Sequence, residues 1–266
     1  MSEENKEQKT TEETKENEKP KFPTEIIDLP SNGKCYPEGH ILSSGQIEVK
    51  YMTAREEDIL TSRNLIQKGQ VIKMLLDSLI VTPGVTSDDM VLGDKNAVMV
   101  AARILAYGPE YTATISHPDT GEKIEHTFDL TDCPFKKMPD DLQEHSDEYE
   151  FKLPISKLSV KFKFLTGKDE HAIEKDVAGN KKLNKDLDTT MTSRLIHSIT
   201  EVDGNRDRNV VTNFVLNMLA RDSFELRSEM TRVTPDIELK QFVEIGGEVV
   251  EVDIPLTTEF FWPNTL

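Results

Sequence analysis

The chain has 266 residues, enough to bury a real core in one large domain or two ordinary ones. Its 49 acidic residues against 32 basic ones leave a net charge of −17, with no Lys/Arg run to offset it, which argues against broad contact with phosphate backbones or anionic membranes. No apolar stretch reaches membrane-spanning length, no secretory signal opens the chain, and the distant Cys35 and Cys133 suit a reducing cytoplasm, without a disulfide framework or a thiolate metal site.

In chain order, residues 1–22 are dominated by Glu, Lys, Thr, Gln and Asn and read as a disordered acidic tail, because they bury too little apolar surface to offset the entropy of ordering. Residues 23–46 carry Pro and Gly at Asn32-Gly33 and Pro37-Glu38-Gly39 and read as an extended arm. The first α+β half, 47–130, opens on a strand in which Ile47, Val49 and Tyr51 alternate with polar residues. Thr53-Ala-Arg-Glu56 then has the form of a capping box and starts a helix. Gly69 interrupts it, and a second helix puts Val71, Ile72, Leu75, Leu76 and Leu79 on one face. After the Pro83-Gly84 turn, Asp94 is expected to cap a third helix that Gly108 ends, and a β-hairpin turning at Asp119-Thr-Gly121 completes the half.

An acidic linker, 131–148, leads to a second half, 149–266, that repeats the order. "FLTGKDEHAI" (164–173) aligns with "YMTAREEDIL" (51–60), "LIHSIT" (195–200) with "LLDSLI" (75–80), and Asp207-Arg-Asn209 with Asp94-Lys-Asn96. A helix at "DSFELRSEMTRV" has no counterpart, and a closing hairpin turns at Gly246-Gly247. Matches in one order imply a duplication, so the expected fold is α+β with two related halves, each strand–helices–β-hairpin.

Arg55-Glu56-Glu57-Asp58 is the place to look for an acid active site. Consecutive helical residues point about 100° apart, so these acids fan out, and acids in a first turn complement the helix dipole. A wet helix start is therefore favoured over catalysis. There is no GxSxG or HExxH, and "LTGKDE" lacks the first glycine of a P-loop. The hairpin turns stand where zinc knuckles would fit, but hold His117, Thr120, Val243 and Gly246, of which only the histidine is a good ligand. His197, on an apolar helix face, reads as a hydrogen-bonded core residue. No catalytic residue, metal ligand or cofactor site is assigned. Phe260, Phe261 and Trp262 near the C-terminus have two readings, a docked end filling a core gap or an anchor for a partner.

"IEVKYMTAREEDILTS", "LIQKG", "LLDSLIV", "DDMVLGDKNAVMVAARILAYGPEY", "RDSFELRSEMTRVTPDIEL" and "VDIPLTTEFFWP" together resemble the baseplate protein family of T-even-like contractile-tailed bacteriophages, which includes a hub-assembly protein. The resemblance spans about Leu29 to Pro263 and contains no catalytic motif. Some relatives carry CPxCG in the hairpins, and this chain departs from them at 117–121 and 243–247. The resemblance implies a non-enzymatic hub component or hub-assembly chaperone. Its partners would be other tail, hub or tape-measure proteins, met in the host cytoplasm during assembly or in the virion baseplate. Tyr51, Arg55, Asp58, Phe260, Phe261 and Trp262 are the expected contact residues, with Tyr51 as a buried anchor and the two charges as pairing groups. The competing readings are a cell-wall hydrolase with paired acids and a nucleic-acid-binding protein derived from a zinc ribbon.

Overall fold

A computed structural model describes residues 22–117, 120–121, 123–183, 188–256 and 258–261. The expected tail up to residue 21, Asp119 and Trp262 lie outside the described residues. Mixed helix and strand bear out the α+β class. The strands are β1 (Thr24–Asp28), β2 (Gln46–Lys50), β3 (Glu110–Ser116), β4 (Lys123–Asp129), β5 (Tyr149–Lys152), β6 (Ser159–Phe162), β7 (Ile199–Val202), β8 (Lys240–Ile245) and β9 (Glu248–Asp253). The helices are α1 (Ala54–Thr61), α2 (Arg63–Gln67), α3 (Val71–Leu79), α4 (Leu92–Tyr107), α5 (Gly167–Leu183), α6 (Thr190–Ser198), α7 (Arg208–Leu216) and α8 (Ala220–Val233).

The element order recurs, and the pairing recurs with it. β1 pairs antiparallel with β2, and Ile80, just after α3, bridges Val49 on the other edge of β2. In the second half β5 pairs with β6, and β7, just after α6, occupies the matching edge with Phe162 opposite Ile199. Each half then adds an antiparallel hairpin, β3–β4 or β8–β9. One continuous hydrophobic core runs through both halves, from Leu29, Leu75 and Phe128 to Phe162, Leu226 and Ile245.

Two expectations change. Asp94 does not cap α4: the capping position is Val91, and Asp94 sits fully buried in the first turn. There its carboxylate accepts from the Ser31 amide (2.9 Å), the Ser31 hydroxyl (2.6 Å) and the Tyr36 hydroxyl (2.8 Å). Tyr36 in turn accepts from the Val91 amide at 3.0 Å. The supposed arm is thereby folded back on α4, with Leu29, Cys35 and Tyr36 buried and β1 inside a sheet. The physical reason is that a buried carboxylate must be hydrogen-bonded, and this segment supplies the donors.

The halves meet by close backbone approach. The Leu92 amide donates to the Leu165 carbonyl (3.0 Å), and the Gly167 amide donates to the Met90 carbonyl (3.0 Å). Lys95 of α4 pairs with Glu170 of α5, and His171 faces Asp88 at 3.2 Å. The 131–148 segment also packs on the second half, where the Glu238 amide donates to the Pro134 carbonyl (2.8 Å) and Phe135 bridges Ile237.

Candidate interaction surface

The strand-to-helix corner is built around one carboxylate. Glu56, in the first turn of α1, is fully buried and reaches back to the Thr53 amide (2.9 Å) and hydroxyl (2.5 Å), forming the expected capping box. It also takes the Lys50 ammonium at 2.8 Å and the Ser78 hydroxyl at 3.3 Å. Burial pushes this carboxyl up, but hydrogen bonds from Lys50 and Thr53 outweigh burial and hold it down at about 2. The neighbours behave differently. Arg55 and Asp58 are exposed, and among the described residues neither has an ion-pair partner. Tyr51 is half-buried, not the buried anchor expected, and its hydroxyl donates to Glu25 at 3.1 Å.

The second half repeats this chemistry. Asp169 takes both its oxygens to Lys163 at 2.7 Å and accepts from the Thr166 amide and hydroxyl at 3.0 Å each. Burial raises the Asp169 carboxyl, and the Lys163 and Thr166 hydrogen bonds reverse the shift, leaving it below the ordinary range. Sequence reasoning found Thr53–Glu56 but missed Lys50 and Lys163. The signal was present: in both halves a lysine precedes the acid by six residues, from Lys50 to Glu56 and from Lys163 to Asp169. A hydrolytic carboxyl pair needs one member that stays protonated near neutrality. Glu56 and Asp169 are both held ionised, and Glu170 is taken by Lys95. These acids hold the corners together.

The aromatic end turns inward. Phe260 and Phe261 are fully buried, and Phe260 lies edge-on to Tyr111 at 4.9 Å between ring centres. Arg103, buried in α4, donates to the carbonyls of Gly108 (3.0 Å), Glu110 (3.0 Å) and Phe260 (2.9 Å). The core reading therefore accounts for these two rings, and they present no surface to a partner. His197, also half-buried, bonds Asp176 of α5 at 2.9 Å. His117 is buried at the first hairpin turn, accepts from the Thr120 amide at 3.3 Å and faces Glu248 of the other hairpin at 3.4 Å. Burial pushes the Cys35 thiol up to about 12 and raises that of Cys133 as well, so neither presents a thiolate at neutral pH. Among the described residues no three His, Cys, Asp or Glu side chains gather as metal ligands, and no helix is long and apolar enough to cross a membrane.

Comparison with known families matches residues 20–262 to the family described as T4 bacteriophage base plate protein. The chain belongs to that family. No individual curated protein and no solved structure matches it. The match runs from before β1 to beyond the buried aromatics, so it covers both halves, the corners and the cross-half contacts of this baseplate protein. Membership makes it a structural component of the phage tail baseplate.

The baseplate protein's corners carry a pH signature. Because Glu56 is ordinarily near 4.5 and is held at about 2 in the folded state, its contribution is complete above about pH 4.5 and is lost as pH falls toward 2. Asp169, shifted in the same direction, adds to that loss. Glu56→Gln is expected to lower stability by about 2–3 kcal/mol at neutral pH, since it leaves Lys50 without its buried partner. It should also flatten the acid limb, as read by urea midpoints across this pH range.

Proposed function

We propose that this baseplate protein is a non-enzymatic hub component or hub-assembly chaperone that works through contacts with other tail proteins. The observation that carries the reading is the division of roles at the α1 corner. Glu56 is locked inside, while Arg55 and Asp58, in the same turn, stand exposed without partners among the described residues. Exposed charges of both signs on a rigid helix start are suited to orienting a partner and selecting its register. Tyr51, half-buried beside them, supplies an amphipathic edge of the kind enriched at interfaces. Trp262 is kept as a further contact residue on its chemistry alone.

The test is complementation of a phage lacking the gene, with folding checked by circular dichroism. Arg55→Glu with Asp58→Lys, and separately Trp262→Ala, are expected to fold normally and lower the yield of infectious tails at least about tenfold, a loss equivalent to about 1.4 kcal/mol of contact energy. Folded variants that assemble tails at the normal yield would remove these contacts. Co-purification with hub or tape-measure proteins, followed by mass spectrometry of purified particles, separates a retained component from a departing chaperone.

A further inference from the structure

The two hairpins turn unpaired edges toward each other. Among the described residues β3 pairs only with β4, and β9 only with β8. At one end His117, just after β3, faces Glu248 at the start of β9 at 3.4 Å. At the other end the Tyr111 hydroxyl donates to the carbonyl of Pro255, just after β9, at 3.2 Å. The two strands therefore run side by side and antiparallel, yet they share no sheet. An open slot of about 310 Å³ lies between them, lined by residues 114–116 on one wall and 251–253 on the other.

Two observations place this slot along the backbone edges. Side chains alternate faces along a strand, so a groove across a sheet face is lined by every second residue. Here consecutive residues line each wall. The registers lead to the same place. The Leu130 amide bonds the Pro109 carbonyl, so the bonded pairs of β3 and β4 are Tyr111–Phe128, Ala113–His126 and Ile115–Ile124. Thr114 and Ser116 then aim their amides and carbonyls away from β4. The Ile254 amide bonds the Leu239 carbonyl, and by the same alternation Glu251 and Asp253 aim theirs away from β8. All four residues line the slot, and among the described residues these groups have no backbone partner.

We propose that an extended segment of another tail protein adds as a strand between β3 and β9, its apolar residues alternating with lysine or arginine. The inference rests on the reading of the chain as a contact-making baseplate component and adds where one partner docks and what it must present. A strand offers donors and acceptors to both edges at once, which a helix does not. Its period of two sets apolar side chains beside Ile115 and Val252, buried on the core side, and basic ones beside the exposed Glu251 and Asp253. Two acids and no base line the slot. Lys240 of β8 pairs with Glu251 at 3.1 Å, and Asp253 has no ion pair among the described residues. A second copy of this chain would bring a net charge of −17 against these acids.

A benzophenone side chain placed at Ser116, exposed on the slot wall, tests this in the full chain during phage infection. A parallel probe at Asp58 reports the α1 corner. The Ser116 probe is expected to cross-link one segment of one tail protein in which apolar residues alternate with Lys or Arg. Thr114→Pro removes an outward amide without breaking the β4 ladder and should cut that product at least tenfold. Glu125→Pro removes the outward amide across from Thr114, on the far edge of β4, and should leave the product unchanged. Glu251→Lys with Asp253→Lys should also cut it at least tenfold, and this pair decides alone if a proline variant melts below the parent. A product that survives these changes in a protein of unchanged circular dichroism, or one lost equally in a folded Glu125→Pro, overturns the proposal. So does a product with an acidic segment or with a second copy of this chain. Products at Asp58 with none at Ser116 overturn the slot while leaving the contact-making reading intact. Absence of tail-protein products at both positions sinks that reading as well.

Discussion

Gly93→Ala is expected to lower the melting temperature by about 6–12 °C or to prevent folding, corresponding to a penalty of about 3 kcal/mol or more. A Cβ at Gly93 would stand 1.9 Å from the Pro235 carbonyl oxygen and 2.8 Å from the Asp236 Cα. Both are backbone atoms, so no rotamer change relieves the clash, and α4 must move away from the segment after α8. Gly167→Ala meets the Ser87 carbonyl oxygen at 2.3 Å and should show the same sign. Gly179→Ala is the control. It lies in α5 with nothing within 4 Å of its Cβ position, and should be neutral or stabilising by about 0.5–1 kcal/mol through helix propensity alone. Thermal melts of the three variants decide the matter. Equal behaviour of all three would mean that the close approach of the halves carries no weight.

The second large effect is expected at Arg103. Its guanidinium satisfies three carbonyls, two after α4 and one at Phe260, 157 residues later in the chain. Burial lowers the pKa of this side chain, yet an arginine remains charged at any ordinary pH. Arg103→Ala leaves the buried Phe260 carbonyl without its donor and the part-buried Gly108 and Glu110 carbonyls to solvent, and should destabilise by about 2–3 kcal/mol. Arg103→Lys should rescue little, because an ammonium lacks the planar fork that reaches three acceptors at once. Limited proteolysis gives the specific readout: early cleavage after β9 while the rest of the chain stays intact. A Lys variant with wild-type resistance would reassign the holding role to the Phe260 and Phe261 rings.

Much of the architecture is legible in the sequence because its determinants are local. Thr53 and Glu56 are three residues apart, the hairpin turns carry their glycines, and the α3 stripe repeats every three or four residues. The recurring order of elements is legible because one local pattern occurs twice. What stayed hidden are pairings between distant residues. Nothing near Asp94 signals that Ser31 and Tyr36 will cover it, so it reads as a helix cap. The arm looked free because turn residues report backbone shape and not what packs against it. Phe260 and Phe261 illustrate the same limit: hydrophobicity says that a ring seeks cover, not whether that cover is its own chain or another.

The interlock of the halves has a consequence for the order of synthesis. When α4 leaves the ribosome, the segment that supplies Ser31 and Tyr36 to Asp94 has already been made, but the Leu165 carbonyl that receives the Leu92 amide does not yet exist. Glu170 for Lys95 and the Phe260 carbonyl for Arg103 come later still. The first half therefore cannot complete the covers of Leu92, Lys95 and Arg103 until the second half is made. Any chaperone or partner that greets the nascent chain meets this unfinished face first.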